Sequence, residues 1–301
     1  MPASTTILGT VQSPVGFAVP PGACDCHVHV FGPADRFPYA STRVYTPGDA
    51  SVEDLLALHD HLGLKRVVVV HPSPYGTDNA VTLDALRRLG DRARGVAVID
   101  PVISDAKLDA MDEAGVRGVR VNLATNGIED PEAAWNLLSA TAARVEPLGW
   151  HVQCFASLPL LSRLHDRLVK LPTTLVLDHF AGARAALGPS QTGLAAVFDL
   201  LRRDRTYIKI SGGYRVSTKP EWEDAGEIAR ALIHARPDRV VWGTDWPHPG
   251  GKRHEGDAAY QIEPFIKIDD GAALRRLRDW AGDPLRLRRI LVDNPARLYG
   301  F

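Results

Sequence analysis

The sequence is poor in cysteine and has no long apolar run. Its 301 residues include three cysteines, Cys24, Cys26 and Cys154, too few for a disulfide framework. We expect these thiols to be buried small side chains, as free cysteines commonly are. No segment approaches the ~18 consecutive apolar residues of a membrane-spanning helix, and the opening residues lack the basic and apolar parts of a secretory signal. The sequence therefore predicts a cytoplasmic protein that does not enter a membrane.

An excess of charge of either sign is also missing. The 35 basic and 36 acidic residues give a formal net charge of −1. No overall positive field is available to attract a phosphate backbone or anionic lipid, so we expect no nucleic-acid or membrane partner. A glycine-rich phosphate loop does not follow the first predicted strand, which removes the usual support for nucleotide binding. An anionic small molecule would have to be held by a few local arginines.

The chain is rich in short β-branched runs that alternate with helical patterns, which is typical of repeated βα units around a parallel sheet. Eight strands are predicted, at residues 23–30, 66–71, 95–99 and 118–122 and at segments that begin at Trp150, Thr174, Thr206 and Arg239. The first predicted helix has Ser51 as its cap and ends at Gly63; the others span residues 79–89, 105–114, 132–148, 159–170, 194–203, 221–235 and 271–280. We predict an α/β fold, a (β/α)8 TIM-like barrel that forms one domain over residues 1–301. Residues 1–22 form an N-terminal arm on the barrel, and an extra C-terminal helix near residues 284–298 packs on its outside. A doubly wound open sheet is the alternative architecture.

Several predicted strands end in histidine or aspartate, at the barrel face where active sites are assembled. Strand alternation places Asp25, His27 and His29 on one face of the first strand, opposite its two cysteines. His179 ends the sixth strand and Asp245 the eighth. Two neighbouring imidazoles can bind a metal or hold oxygen atoms by hydrogen bonds.

Asp245 is the predicted catalytic base. It lies between two tryptophans in VVWGTDWPHP, an apolar frame suited to raising a carboxylate's proton affinity or to excluding water. Its expected role is to take a proton from water and to return it to the leaving group. His248, three residues further on, is either a second layer of the site or a loop histidine.

These motifs resemble the lactonase branch of the amidohydrolase superfamily. The resemblance spans nearly the whole chain, and it lies in the segments DCHVHVFGPADRFPYASTRVYTP, HPSPYGTDN, GVRGVRVN, LDHF, GTDWPHP and ILVDNPARLYGF. It implies that water attacks the carbonyl of a cyclic ester with Asp245 as the base, while His27, His29 and His179 polarise the carbonyl or hold the water. The matching positions imply that substrate carboxylates are bound by four side chains, those of Tyr45, Ser73, Arg120 and Arg215.

This sequence departs from the pattern of that branch at two places, which changes what we expect of its substrate and of its need for a metal. The loop after Arg120 reads VNLATNG and has Asn126 or a neighbour where the pattern has a further basic residue, which favours a lactone with fewer charges or more hydroxyls. Metal-dependent members of the superfamily usually have a metal-binding lysine on strand four or a histidine on strand five. This sequence has neither at the expected place, so we predict that no metal is required. The alternative is one zinc ion on His27, His29 and Asp245, with His179 adjacent.

The predicted function is therefore hydrolysis of a small carboxylated lactone in a catabolic pathway. Three alternatives remain open on the sequence: a lactone isomerase with the same site, a metal-dependent decarboxylase of the superfamily, and a binding protein without catalysis. A homo-oligomer is compatible with the sequence.

Overall fold

Eight parallel strands form the centre of the protein, which is described here by a computed structural model that covers residues 4–100 and 102–301. The strands are, in chain order, β1 (Cys24–Val28), β2 (Arg66–Val70), β3 (Ala93–Ala97), β4 (Val116–Asn122), β5 (His151–Phe155), β6 (Leu175–Leu177), β7 (Thr206–Ser211) and β8 (Val240–Gly243). They are hydrogen-bonded in this same order. Each lies within two residues of its predicted start, because the β-branched runs that predict strands are the runs buried in the sheet.

The sheet closes into a barrel where β1 meets β8. Val28 forms a parallel bridge with Trp246, and the amide of Asp245 donates to the carbonyl of His27 over 2.9 Å. The buried carboxylate of Asp25 accepts from the Thr244 amide at 3.0 Å and from its hydroxyl at 2.6 Å. The predicted (β/α)8 barrel is confirmed and the open doubly wound sheet is wrong, since an open sheet would leave these two strands apart.

One detail of β1 differs from the prediction. The register against β2 shifts between Asp25 and Val28, as in a β-bulge. Cys24 and Cys26 therefore pack among the residues inside the barrel, while Asp25 lies 3.4 Å from His59 of the surrounding helical layer. Strict alternation had placed Asp25 with His27 and His29, and this part of the prediction is wrong because a bulge changes the face that follows it.

The helices surround the barrel. They are α1 (Val52–Leu62), α2 (Ala80–Leu89), α3 (Asp105–Glu113), α4 (Pro131–Val145), α5 (Leu158–Leu168), α6 (Leu194–Arg202), α7 (Ala225–Ala235) and α8 (Asp270–Ala281). The predicted start of α1 is confirmed: Ser51 and Asp54 form a reciprocal capping box, and Gly63 ends the helix in the left-handed region. Among the described residues no helix is long and apolar enough to cross a bilayer.

The C-terminal segment is helical over the predicted span, as Pro284–Arg288, a π-turn at Arg289–Asp293 and Asn294–Tyr299. The prediction that this segment packs on the outside of the barrel is only partly correct, because one of its side chains enters the barrel interior. The fully buried ring of Tyr299 joins Cys24, Cys26 and Tyr207 in the apolar cluster of the barrel interior. The amino-terminal end of the barrel is therefore filled by side chains, and the candidate active site lies at the carboxyl ends of the strands. All three cysteines are buried and unpaired, as predicted.

The described part of the N-terminal arm begins with a hairpin of Thr5–Ile7 and Thr10–Gln12. Ser13 follows it, and its amide donates to the Asp269 carboxylate, 3.0 Å away, at the start of α8. The Gln12 side chain donates to the carbonyl of Ile268 over 3.0 Å. These contacts fix the arm against the segment that follows the loop after β8.

Candidate active site

The carboxylate of Asp245 lies at the centre of the polar end of the barrel. Its backbone has φ +66°, a left-handed conformation that aspartate tolerates better than most residues and that lets the chain leave the strand sharply. Its Oδ2 accepts from the Tyr214 hydroxyl at 2.6 Å and from Arg215 Nε at 2.5 Å. Its Oδ1 accepts no hydrogen bond from residues 4–100 or 102–301. One oxygen is thus fixed, and the other is available for chemistry.

Three histidines lie around this carboxylate. The Nε2 atoms of His27 and His29 each lie 3.6 Å from Asp245 Oδ1, and the rings of His27 and His179 are 4.7 Å apart. His179 follows β6 with φ +46°, and its Nδ1 lies 3.0 Å from the hydroxyl of Ser211. The structure therefore brings together the four residues predicted as catalytic.

The hydrogen bond of His29 determines which of its nitrogens carries the proton. Nδ1 lies 2.8 Å from the carbonyl of Val70, which can only accept. Nδ1 is therefore the donor, and in the neutral ring Nε2 presents a lone pair toward Asp245. His29 is arranged to accept a hydrogen bond at the site.

Burial keeps the histidines neutral at physiological pH. It lowers the pKa of His29 to about 3 and that of His179 to about 4. Burial, reinforced by the positive charge of Lys209, holds the pKa of His27 well below its ordinary value. Each neutral imidazole has one hydrogen-bond donor and one acceptor. It can therefore donate to a carbonyl oxygen or accept from a water molecule.

Asp245 is a carboxylate at any physiological pH. Burial by itself would raise its pKa, but the polar groups around it, the Arg215 guanidinium foremost, together outweigh burial and hold the pKa of Asp245 well below its usual range. The expectation that an apolar frame raises its proton affinity is wrong, because the sequence motif does not reveal that Arg215 lies against Oδ2.

The buried histidines predict a loss of stability in mild acid. Burial lowers the pKa of His71 to about 4 and that of His151 to about 3, in addition to His29 and His179. In the unfolded chain these imidazoles bind protons near their ordinary pKa of about 6.5, so below that pH the unfolded state takes up more protons than the folded state. We expect the urea midpoint of unfolding to decrease steadily between about pH 6.5 and 5, above the range in which carboxylates titrate. A constant midpoint over this interval would contradict the burial of neutral imidazoles.

The side chains that the resemblance assigns to substrate carboxylates lie beside the site, although they are not equally available. Arg120 is buried, and its Nε donates to Asp178 Oδ2 over 3.0 Å. Arg215 Nη2 donates to the carbonyl of Pro249 at 2.9 Å, so this guanidinium is held by Asp245 and the loop after β8. Tyr45 is buried beside Ser73, and burial raises its pKa to about 12.

A cavity of about 260 Å³ opens next to these residues at the carboxyl ends of β2, β3 and β4. Its polar lining includes Arg43, Ser73, Arg120, Asn122 and Asn126. Arg120 donates through Nε to Asp178, and its terminal nitrogens make no hydrogen bond with the described part of the chain. The cavity is therefore lined by two guanidinium groups and several uncharged hydrogen-bonding groups. Arg43 is already bonded to the Thr46 hydroxyl and the Ala40 carbonyl, so Arg120 is the more available anion donor.

His248 lies behind the site. Its Nε2 is 3.0 Å from the buried carboxylate of Asp270 at the start of α8, and its carbonyl accepts from the Ile266 amide at 3.0 Å. Its ring also stands edge to face with that of Tyr214 at 5.9 Å. His248 thus anchors the loop after β8 and packs on the tyrosine that holds Asp245.

Three further polar side chains in and below the site were missed by sequence reasoning: Asp178, Lys209 and Tyr214. Tyr214 stands in SGGYR beside Arg215, and Asp178 stands in LDHF beside His179. Lys209 is fully buried on β7, where burial lowers its pKa to about 8. The available signal was a lone lysine inside the apolar strand TYIKIS, since lysine is almost never fully buried without partners.

The donor set is suitable for one divalent cation. Ligand atoms of His27, His179 and Asp245 lie within 4.8 Å of one another. Within the described residues, His27 Nε2, His179 Nε2 and Asp245 Oδ1 are buried without a hydrogen-bond partner. Two neutral imidazoles and a carboxylate are ligands that catalytic zinc uses. His29 is not in this group, and the positive charges of Arg215 and Lys209 oppose the binding of a cation.

A (β/α)8 barrel with histidines and an aspartate at the carboxyl ends of its strands is typical of a class of hydrolases. The chain belongs to the amidohydrolase family, whose model matches residues 24–301. It is 38% identical to a 2-pyrone-4,6-dicarboxylate hydrolase of Comamonas testosteroni over 94% of this chain and 92% of that one. It is 37% identical to a 4-sulfomuconolactone hydrolase of Rhizobium radiobacter, over 96% and 93% of the two chains. It is also 30% identical to a D-galactarolactone isomerase of Agrobacterium fabrum, over 97% and 94%. The relatives thus include both lactone hydrolases and a lactone isomerase.

Proposed function

We propose that the protein hydrolyses a small carboxylated lactone with water activated by Asp245. The observation that supports the proposal is that the two oxygens of the Asp245 carboxylate have different surroundings. Tyr214 and Arg215 fix Oδ2, while Oδ1 faces neutral imidazoles and accepts no hydrogen bond within the described chain. An oriented carboxylate oxygen among neutral donors and acceptors is suited to general base catalysis.

The reaction follows from the positions of these groups. Water donates one hydrogen bond to Asp245 Oδ1 and the other to the lone pair of His29 Nε2. Its oxygen bonds to the lactone carbonyl carbon as the proton passes to Asp245, and His27 and His179 stabilise the oxyanion that forms. The ring C–O bond then breaks, and Asp245 returns the proton to the ring oxygen. The product is an open-chain acid with one new hydroxyl group.

The cavity supports a substrate class. The terminal nitrogens of Arg120 can clamp one carboxylate with two hydrogen bonds, and Asn122, Asn126 and Ser73 can meet hydroxyl groups. Arg215 already neutralises Asp245, so we assign it first to holding the base and second to a substrate carboxylate near the loop after β8. A lactone with one buried carboxylate and further hydroxyls fits this set better than one with several free charges. We also propose that the chain forms one barrel domain over residues 1–301.

Zinc is compatible with the site, and we propose that it is not required. A bound ion would be held by His27, His179 and Asp245 and would polarise the carbonyl or the attacking water. The cationic groups Arg215 and Lys209 weaken such binding, and Asp245 can act as the base without it.

We expect protein stripped with a strong chelator to keep most of its kcat and to contain less than one equivalent of zinc as purified. The reason is that neutral imidazoles and Asp245 supply the hydrogen bonds and the base without a cation. Metal analysis and kinetics on the same preparation measure both quantities, with added zinc as the control. Loss of activity on chelation, restored by one equivalent of zinc, would contradict the proposal.

The function itself is tested with a panel of sugar-acid, muconate-type and pyrone lactones. Hydrolysis in ¹⁸O-labelled water should place the label in the product carboxylate, because water is the nucleophile. A product without label and with a rearranged ring would instead identify a lactone isomerase, in which a substrate hydroxyl gives its proton to Asp245. Release of carbon dioxide would indicate a decarboxylase, and tight binding without turnover would indicate a binding protein.

A further inference from the structure

Lys209 is a fully buried cation directly below the active site. Its ammonium group donates to the carbonyl of Cys26 at 2.8 Å and to Gln153 Oε1 at 2.6 Å. Two further atoms lie nearby, His27 Nδ1 at 3.5 Å and Asp178 Oδ1 at 3.9 Å. An ammonium has three protons, and of these last two atoms only His27 Nδ1 lies within hydrogen-bond distance of the third. Nothing in the proposed reaction uses Lys209 directly.

The orientation of Gln153 follows from its second partner. Its Nε2 donates to the Asp178 carboxylate over 2.9 Å, and a carboxylate can only accept. Gln153 must therefore present Oε1 to Lys209, which identifies Lys209 as the donor in that contact. The same carboxylate oxygen, Asp178 Oδ2, also accepts from Arg120 Nε.

Two groups compete for His27 Nδ1. Lys209 Nζ can only donate to it, and Asp178 Oδ1, 3.4 Å away, can only accept. The choice sets the tautomer, because the proton of a neutral imidazole is on Nε2 when Nδ1 accepts and on Nδ1 when Nδ1 donates. The angles at His27 meet hydrogen-bond geometry with Lys209, whereas Asp178 Oδ1 has no hydrogen bond within the described residues. A proton on Nδ1 would also face an ammonium group, placing two donors against each other.

We propose that Lys209 is a positioning residue that holds the proton of His27 on Nε2, so that His27 donates a hydrogen bond into the active site. This inference rests on the proposed function and deepens it. The neighbouring His29 is fixed in the opposite tautomer by the carbonyl of Val70. The two imidazoles, both 3.6 Å from Asp245 Oδ1, then have complementary tasks. His29 accepts from the attacking water, and His27 donates to the oxyanion that develops on the lactone carbonyl.

The wild-type protein tests the tautomer without substrate. In a long-range ¹H–¹⁵N spectrum of histidine-labelled protein, with His27 assigned from the His27→Gln variant, we expect Nε2 of His27 to be protonated and Nδ1 unprotonated. His29 should show the reverse pattern. A proton on Nδ1 of His27 would overturn the proposal, whatever the enzyme acts on.

The Lys209→Met variant tests the consequence. Without the ammonium, Nδ1 is expected to donate to Asp178 Oδ1, so the spectrum should show the other tautomer of His27. We expect kcat to fall by roughly 10²–10³-fold, the usual cost of losing one oxyanion donor, with KM changing much less. Cys154→Ala, which removes a buried side chain on β5 that belongs to the apolar core, is the control for destabilisation alone and should keep the wild-type tautomer.

The outcomes separate this inference from the proposed function. If Lys209→Met keeps both the Nε2 proton and the wild-type kcat, Lys209 is only structural and the proposal fails. If the variant does not fold, the wild-type spectrum alone decides. If no lactone is turned over while the spectrum shows the expected tautomers, the proposed function fails and the assignment of Lys209 stands.

Discussion

Replacing Asp245 by asparagine is expected to reduce kcat by about 10²–10⁴-fold, the usual contribution of a positioned general base. Tyr214 and Arg215 both donate to Oδ2, so the asparagine carbonyl should take the place of Oδ2 and its NH₂ group the place of Oδ1. The variant then presents a donor where the reaction needs an acceptor. Substrate affinity should change little, because the groups assigned to bind the lactone remain. Single-turnover kinetics and a binding titration with the same lactone measure the two effects.

The matched control is Asp270→Asn. This carboxylate is also fully buried and is paired with a histidine, His248, but it lies behind the site. Both variants lose a buried negative charge and should be destabilised, whereas a large loss of kcat in a folded protein is expected for Asp245→Asn alone. A near-normal kcat in the Asp245 variant would remove this residue from the mechanism.

The fold could be predicted because its signals are local. Each strand is a short, mostly buried segment that contains at least one β-branched residue, and each begins within about two residues of the pattern that predicts it. The errors arise where a contact between distant segments decides the conformation. Asp25, where the register shift in β1 begins, accepts hydrogen bonds from Thr244, 219 residues away, and Tyr299 packs against Cys24 and Cys26 at the other end of the chain.

The candidate site could be predicted in part for the same reason. His27, His29, His179 and Asp245 end strands, and the ends of parallel strands meet at one face of a barrel. The role of Lys209 below these residues could not be predicted from the sequence, because Lys209 on β7 contacts His27 on β1 across the barrel interior. The low proton affinity of Asp245 was missed since it depends on Arg215, a residue 30 positions away in sequence.

Charge pairing around the cavity also changes how the arginines are interpreted. As sequence motifs, Arg120 and Arg215 are equivalent anion donors. In the structure Arg215 is bound to the Asp245 carboxylate, while Arg120 uses Nε for Asp178 and lines the cavity. Arg120 is therefore the better candidate for recognising a substrate carboxylate.

We expect Arg120→Met to raise KM for a carboxylated lactone by roughly 10–150-fold, which corresponds to about 1.5–3 kcal/mol for a hydrogen bond to a charged group. KM for a neutral lactone of the same ring size should change much less, because no charged group is lost from its contacts. Arg117→Met is the control on the same strand, since this half-buried guanidinium pairs with Asp112 on the outside of the barrel, 3.0 Å away. Kinetics of the three proteins on both lactones separate recognition from stability. Equal losses on the two substrates would show that Arg120 serves the Asp178 network and not the substrate.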